Sequence, residues 1–272
     1  MRSSLQKGFT LIELAIVLVI LGLLAGGILV GQDLIKAAEL RSQIEQFDNY
    51  DIAASTFRTK YNALPGDVAS PSNFNLPAGG CTGASRGLGN GNGVIESSGS
   101  TALFSFVGEP LMFYAQLSSA NLIADPIDTG ATAVCTAGAT TPSNTNIPSN
   151  KLRGGRIYPI GSGGLHYYLL SSIGATAATT GVFSAAPGDA LTPTDAFNID
   201  FKMDDGVPNA GNVRPINLGA NADSVASAGE ASPTDAGAAT ASATSCWLTT
   251  TPATYATTRT EVNCQLRIRA SF

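Results

Sequence analysis

Three aspartates close to one turn form the densest group of oxygen ligands in this sequence. Asp200, Asp204 and Asp205 are followed by a glycine and, at position 209, by an asparagine. Carboxylate and amide oxygens are the ligands that calcium takes, so the segment is a candidate calcium site. Asp-Asp-Gly is equally typical of a turn. The turn is the interpretation we favour, with no cofactor expected.

The other reactive side chains form no catalytic pattern. His166, the single histidine, lies in an apolar stretch without a cysteine or carboxylate at metal-ligand spacing, and it is predicted to be a packing residue. The glycine-rich run 87–96 lacks the Gly-Lys-Ser/Thr ending of a phosphate-binding loop. An EF-hand needs acids at its first and last loop positions, where this run offers Leu88 and Gly99. We therefore predict that the chain is not an enzyme.

The four cysteines are Cys81, Cys135, Cys246 and Cys264, and they include no C-x-x-C pair. An even number outside the cytoplasm favours two disulfides, for which three pairings are possible. We favour the sequential pairing, Cys81 with Cys135 and Cys246 with Cys264, because each bond then closes a local loop. Free buried thiols are the alternative.

The N-terminal region contains a run that is long enough to cross a membrane. Residues 9–30 are 22 residues with a single charge, Glu13. At about 1.5 Å per residue, such a helix spans a bilayer core of about 30 Å. Arg2 and Lys7 precede the run, and positive charge on a short flank keeps that end in the cytoplasm. The chain after residue 30 is therefore expected to be exported.

Glu13 is out of place in an ordinary membrane span. A carboxylate in hydrocarbon is costly and usually marks a function with a definite partner, yet the run contains no lysine or arginine. Cleavage between Gly8 and Phe9 would create an α-ammonium group four residues before Glu13. The acid could pair with its own terminus or with a neighbour's terminus. Pairing with a neighbour would set the axial register of two packed helices.

The stretch Lys7-Gly8-Phe9-Thr10-Leu11-Ile12-Glu13-Leu14 resembles the signal of type IV prepilins and type II secretion pseudopilins. This resemblance implies cleavage after Gly8 by a prepilin peptidase and N-methylation of Phe9. It also implies that Glu13 pairs with the terminus of an adjacent subunit. A secretory signal peptide cut near residues 25–27 and an uncut single-pass anchor are the alternatives. Neither accounts for Glu13.

The helix is predicted to continue beyond the membrane run. Residues 31–64 are amphipathic, and no proline occurs from 9 to 64, before Pro65-Gly66 ends the helix. We expect a helix from Phe9 to about Asn62. Its polar half must cover a soluble domain with its apolar stripe.

The exported head, residues 65–272, is predicted to contain short helices and antiparallel strands. A helix at 110–120 should place Leu111, Tyr114 and Leu117 on one face, and a second helix is expected at 192–203. Strands at 156–160 and 165–171 form a predicted hairpin.

The C-terminal third of the head contains one predicted loop and one predicted hairpin. Residues 219–245 are almost without large apolar side chains, which predicts an exposed loop. Alternation over 262–269 predicts a half-buried terminal strand. Cys246-Trp247-Leu248 is expected to pair nearby, with the Cys246–Cys264 bond closing the terminal hairpin.

These features predict an α+β, pilin-like fold with four regions. They are a leader (1–8), a membrane and fibre-core helix (9–30), its amphipathic half (31–64) and the head (65–272). The formal charge is −5, and the excess acid lies after residue 64. An acidic head argues against nucleic-acid binding.

The favoured function is that of a structural subunit of a type IV pilus or pilus-like fibre. Its expected partners are copies of itself or other pilins, the prepilin peptidase, an inner-membrane assembly platform and, before assembly, the lipid bilayer. The expected location is a single-pass inner-membrane form with its N-terminus in the cytoplasm, then a periplasmic or extracellular fibre. The alternative is a minor pilin, adhesin or type II secretion pseudopilin that acts as a binding or priming module. A tethered enzyme is the least favoured hypothesis.

Overall fold

The architecture was examined in a computed structural model of the whole chain. The structure describes residues 10–77, 89–95, 109–125, 127, 147–152, 155–162, 164–171, 191–216, 246–248, 253–258 and 264–272.

One long helix, α1, runs from Leu11 to Tyr61 and confirms the predicted N-terminal helix. Its 51 residues correspond to a length of about 75 Å. The helix ends at Asn62, which adopts the left-handed conformation with φ of 52° and donates its N–H to the carbonyl of Arg58. Left-handed C-caps satisfy the last carbonyl groups of a helix, so the chain can leave α1 towards Pro65 and Gly66.

The two halves of α1 have different surroundings. The apolar side chains from Leu11 to Val30 are exposed along the whole N-terminal half. From Leu40 onwards one face is buried in the head, and its largest side chains are Phe47, Tyr50 and Phe57. The amphipathic half therefore covers the head, as its pattern predicts.

The head contains a four-stranded antiparallel sheet, which confirms the predicted α+β class. Its strands are β1 (Arg156–Ser162), β2 (Leu165–Ser171), β3 (Val213–Ile216) and β6 (Gln265–Arg269). They follow the order β1-β2-β6-β3, with β6 between β2 and β3. The predicted hairpin corresponds to β1 and β2.

Two further helices lie close to their predicted positions. Helix α3 spans Pro193–Met203, and Thr192 caps it by accepting a hydrogen bond from the N–H of Asp195. Helix α2 spans Glu109–Ser119, one residue earlier at each end than the predicted 110–120.

The expectation of one apolar face on α2 was too narrow. Tyr114 and Leu117 are buried as predicted, but Met112, Phe113 and Ala115 are buried too. The reason is that α2 contacts both α1 and β1. The side chain of Leu111 lies outside the described part of the structure.

The C-terminal strands differ from the prediction in two ways. Gln265 and Arg267 are buried along with Leu266 and Ile268, so β6 is not half-buried. As an inner strand it has neighbours on both edges, and the Arg267 guanidinium lies 4.7 Å from the centre of the Tyr167 ring.

The second difference concerns the terminal hairpin. Strand β4 (Trp247–Leu248) pairs with β5 (Thr254–Tyr255) and not with the terminal strand. Cys246 and Cys264 are joined by a disulfide. The bond therefore links a separate two-stranded sheet to the residue that precedes β6, and Val262 lies outside the described residues.

The glycine-rich run is bound by a buried carboxylate in the segment that follows α1. Asp67, fully buried, accepts hydrogen bonds from the N–H groups of Gly91 (2.6 Å) and Gly93 (2.7 Å). Gly89 packs so closely that a Cβ atom would come 2.1 Å from the Asp67 carbonyl carbon. Glu109, also buried, accepts from the Asn90 N–H at 3.2 Å, so two acids hold the described residues 89–95 of the run in place.

The last described residues close the head against α1. The Ser271 N–H and hydroxyl both donate to the carboxylate of Asp51 on α1. The Phe272 ring lies between those of Phe113 and His166, at centroid distances of 5.7 and 5.1 Å. Residues on α1, on α2 and on β2 are therefore held together by the segment that follows β6.

Candidate functional site: the N-terminal end of α1

The first turn of α1 is organised by two side chains that hydrogen-bond to each other. The Thr10 hydroxyl accepts from the N–H of Glu13 (3.4 Å). In return, a Glu13 carboxylate oxygen accepts from the Thr10 N–H (2.8 Å) and from its hydroxyl (2.7 Å). This is a capping box, which satisfies N–H groups that the helix itself cannot satisfy.

The capping box gives Glu13 a local role that the charge argument missed. Hydrogen bonds to a carboxylate lower the cost of removing it from water. The sequence does contain the signal, since a threonine followed three residues later by glutamate before an apolar run is typical of a helix start. The backbone N–H that donates to Glu13 belongs to Thr10, the second residue after the predicted cleavage point in the sequence.

The helix that begins at this cap is long and apolar enough to cross a membrane. Among the described residues, α1 alone meets both criteria, and its most apolar window is entirely unburied. An unburied apolar helix needs lipid or other helices around it. Gly8 and Phe9 lie outside the described residues.

Residues 3–29 match the family model for the prokaryotic N-terminal methylation motif. The chain carries the signal of type IV pilins and pseudopilins. The methylation motif covers the predicted cleavage point, the capping box and most of the apolar half of α1. No curated protein and no solved structure matches the chain significantly.

The predicted aspartate cluster is present at the end of α3. One carboxylate oxygen from each of Asp200, Asp204 and Asp205 lies within 4.8 Å of the other two. Asp200 is buried, and burial raises its pKa to about 6 although the Tyr255 hydroxyl donates a hydrogen bond to it at 2.8 Å.

Two of the three carboxylates in this cluster accept hydrogen bonds from neighbouring backbone N–H groups. Asp204 accepts from the N–H groups of Asn212 and Val213, and Asp205 accepts from that of Val207. These bonds shape the connection from α3 to β3, which is the turn role that the sequence favours. Calcium binding by the cluster stays the less favoured alternative to this turn role. It can be tested by calcium titration of the full chain against Asp205→Asn.

The remaining candidates contribute to packing. His166 is buried, stacks on Phe272 and has a pKa lowered by burial and by the nearby Arg58 charge.

A groove of about 810 Å³ between α1 and α3 is lined by carboxylates, ammonium groups and threonines, and no described lining residue is a histidine or cysteine. Cys81 and Cys135 lie outside the described residues.

Proposed function

We propose that this chain is a structural subunit of a type IV pilus or pilus-like fibre, cleaved after Gly8, N-methylated at Phe9 and assembled through α1. The single observation that supports this best is the methylation motif at residues 3–29. The motif falls on a helix whose apolar half is unburied and whose first turn is capped by Thr10 and Glu13.

The physical course of assembly follows from the shape of α1. Before assembly, the N-terminus lies in the cytoplasm, the apolar half spans the inner membrane and the head lies outside. During assembly the same apolar half exchanges lipid for neighbouring helices and never faces water. The prepilin peptidase, the assembly platform and other pilins are the partners that such a course needs.

Glu13 would have two roles in this process, one as a helix cap and one as an ion-pair partner. Within the chain it caps the first turn of α1. After cleavage, the ammonium group at Phe9 would provide it with an ionic partner, either its own or that of the subunit alongside. A charge pair at membrane depth is strongly favoured over two separate charges, so it would fix which subunits can pack and at what height.

The processing step is tested by mass spectrometry of the mature protein. We expect an N-terminus at Phe9 that carries one additional methyl group. A mature chain that begins anywhere else, or one that keeps residues 1–8, would contradict the proposal.

The registry role is tested by Glu13→Ala, with Asp33→Ala as a matched loss of a carboxylate farther along α1. The Glu13 variant should enter the membrane and be cleaved, yet yield few fibres in electron micrographs of sheared cells. The Asp33 variant should assemble. Normal fibres from Glu13→Ala would refute the registry role while leaving the processing step intact.

A further inference from the structure

The groove of about 810 Å³ between α1 and α3 lies where α1 leaves the head. Its α1 side runs from Asp33 to Leu40, and Leu40 is the first buried side chain of that helix. Residues 32–38 of α1 are exposed. The groove is therefore at the end of the head that faces the apolar half of α1.

The position of this groove along α1 corresponds to the headgroup layer of a membrane. The apolar run ends at Val30, and Asp33 and Lys36 lie about 4.5 and 9 Å farther along the helix axis. The polar layer on each side of a bilayer core is about 5–8 Å thick, and a lysine can extend its flexible side chain towards it. Leu34 and Ile35, between these two charges, are 67% and 59% exposed. Exposed apolar side chains at this height are typical of contact with lipid.

The groove contains charged groups of both signs. Lys36 from α1 and Lys202 from α3 provide ammonium groups, while Asp33 and Glu39 provide carboxylates. Within the described part of the chain, none of these four side chains forms an ion pair. With Asp195 included, the lining has three carboxylates and two ammonium groups, a formal charge of −1. Such a lining disfavours a purely anionic ligand and suits one that carries both a negative and a positive group.

A zwitterionic lipid headgroup combines this charge pattern with this position. Phosphatidylethanolamine has a phosphate anion, which a lysine ammonium can bind, and a primary ammonium group, which carboxylates can accept. Phosphatidylglycerol has no cation, and the ammonium of phosphatidylcholine has no N–H to donate. Asn198, one turn before Lys202 on α3, adds an amide to the lining. The volume of the groove lies within the range of about 300–1,000 Å³ that is usual for small-ligand sites.

We propose that this groove binds the headgroup of phosphatidylethanolamine, with the phosphate at Lys36 and Lys202 and the ammonium at Asp33 and Glu39. This binding rests on the proposed function in one respect, which is that α1 must span a membrane before assembly. A bound headgroup would hold the head against the membrane surface. It would have to be released when the subunit leaves the lipid for a fibre.

Lipid retention by the full chain can be measured by native mass spectrometry from micelles of a non-ionic detergent. Each preparation contains one added lipid, which is phosphatidylethanolamine, phosphatidylglycerol or phosphatidylcholine with the same acyl chains. We expect the chain to retain one phosphatidylethanolamine at low lipid concentration. The other two lipids should require about ten times more, because either the charge balance or the N–H donors are lost.

Two pairs of lysine variants test the phosphate side of the groove. Lys36→Ala with Lys202→Ala should weaken the retention of phosphatidylethanolamine by more than about tenfold, because each lysine near a membrane surface contributes a factor of about five. Lys60→Ala with Lys151→Ala removes two lysines that do not line the groove. This matched control should retain the lipid as the wild type does.

A pair of acid variants tests the ammonium side. Asp33→Asn with Glu39→Gln removes two of the three carboxylates, so the formal charge of the lining changes from −1 to +1. The preference should then reverse, with phosphatidylglycerol retained better than phosphatidylethanolamine. An unchanged preference would overturn the proposal.

Other results would also overturn it. They are equal retention of the three lipids by the wild type, full retention by the Lys36 and Lys202 variant, and equally tight binding of soluble glycerophosphoethanolamine, which would make the ligand a soluble phosphate ester and not a lipid. Each of them would leave the fibre proposal standing, because processing and fibre formation are measured separately. A chain that alkaline carbonate extracts from membranes would overturn both proposals, because α1 would then not span the bilayer.

Discussion

The buried carboxylate of Asp67 provides the sharpest test of how the head is held together. Replacing it by alanine removes the acceptor for the N–H groups of Gly91 and Gly93 and leaves both without their partner. A hydrogen bond to a charged group contributes about 1.5–3 kcal/mol. Two such bonds, less the gain from no longer burying a charge, suggest a loss of about 3–4 kcal/mol in the free energy of unfolding.

Asp67→Asn separates the charge from the shape of the side chain. The amide keeps one acceptor oxygen but presents an NH₂ group to the other backbone N–H. We therefore expect about half of the loss caused by alanine.

Urea unfolding of the detergent-solubilised full chain measures both variants. The fluorescence of Trp247, the single tryptophan, reports on the head. Amide exchange at Gly91 and Gly93 should accelerate in the alanine variant, because their protecting acceptor is gone. Asp48→Ala, at an exposed aspartate on α1, is the matched control and should change stability by less than about 0.5 kcal/mol.

A loss below about 1 kcal/mol for Asp67→Ala would refute the reasoning. It would show that the glycine-rich run is held by its own turns and that the acid adds little. Slow exchange at both glycines in that variant would lead to the same conclusion.

Three further predictions concern the same head. Phe272→Ala should lower the free energy of unfolding by about 2 kcal/mol, because a half-buried ring loses contacts to three aromatic neighbours. Phe272→Leu should recover most of that loss. An unchanged urea midpoint for the alanine variant would contradict the role of Phe272 in holding the head against α1. Cys246→Ser with Cys264→Ser should lower the free energy of unfolding by about 3 kcal/mol, because the bond closes a loop of 18 residues. A loss below about 1 kcal/mol in urea unfolding would contradict that expectation. Because the pKa of His166 is lowered in the folded chain, this histidine is protonated in the unfolded chain at a higher pH than in the folded chain. Stability should therefore fall as the pH drops below about 6.5, until the pH reaches the pKa of the folded chain. His166→Leu should flatten that slope, and parallel pH profiles would refute the assignment.

Much of the fold could be predicted from local patterns. The absence of proline before Pro65 predicts the long helix, and Thr192 followed by Pro193 predicts the start of α3. The hairpin of β1 and β2 follows from two apolar runs separated by glycines. In each case, a signal within a few residues determines the element.

Burial could not be predicted locally where partners distant in the sequence decide it. Gln43 and Gln46 are polar but buried on α1, because Gln43 accepts from the Lys151 N–H and Gln46 donates to the Ser149 carbonyl. Arg267 is buried because β6 became an inner strand. No local pattern shows which strands will be neighbours, so alternation alone predicted a half-buried strand.

The candidate site was only partly visible in the sequence. The motif and the apolar run indicated the apolar half of α1, and the cost of a carboxylate in hydrocarbon indicated Glu13. The Thr10 cap could have been found from its spacing to Glu13. The groove between α1 and α3 could not, because it exists only where α3 comes to lie against a helix that is distant in sequence.

The order of the strands also bears on how the head acquires its structure. Among the described strands, β3 pairs with β6 alone, and β6 begins almost fifty residues later. Contacts of such large sequence separation form slowly because a long loop must close first. Until β6 is inserted, the edges of β2 and β3 are open templates for other chains. Overexpressed heads are therefore expected to aggregate through these two edges, and substitutions that place a lysine on either edge should reduce that aggregation.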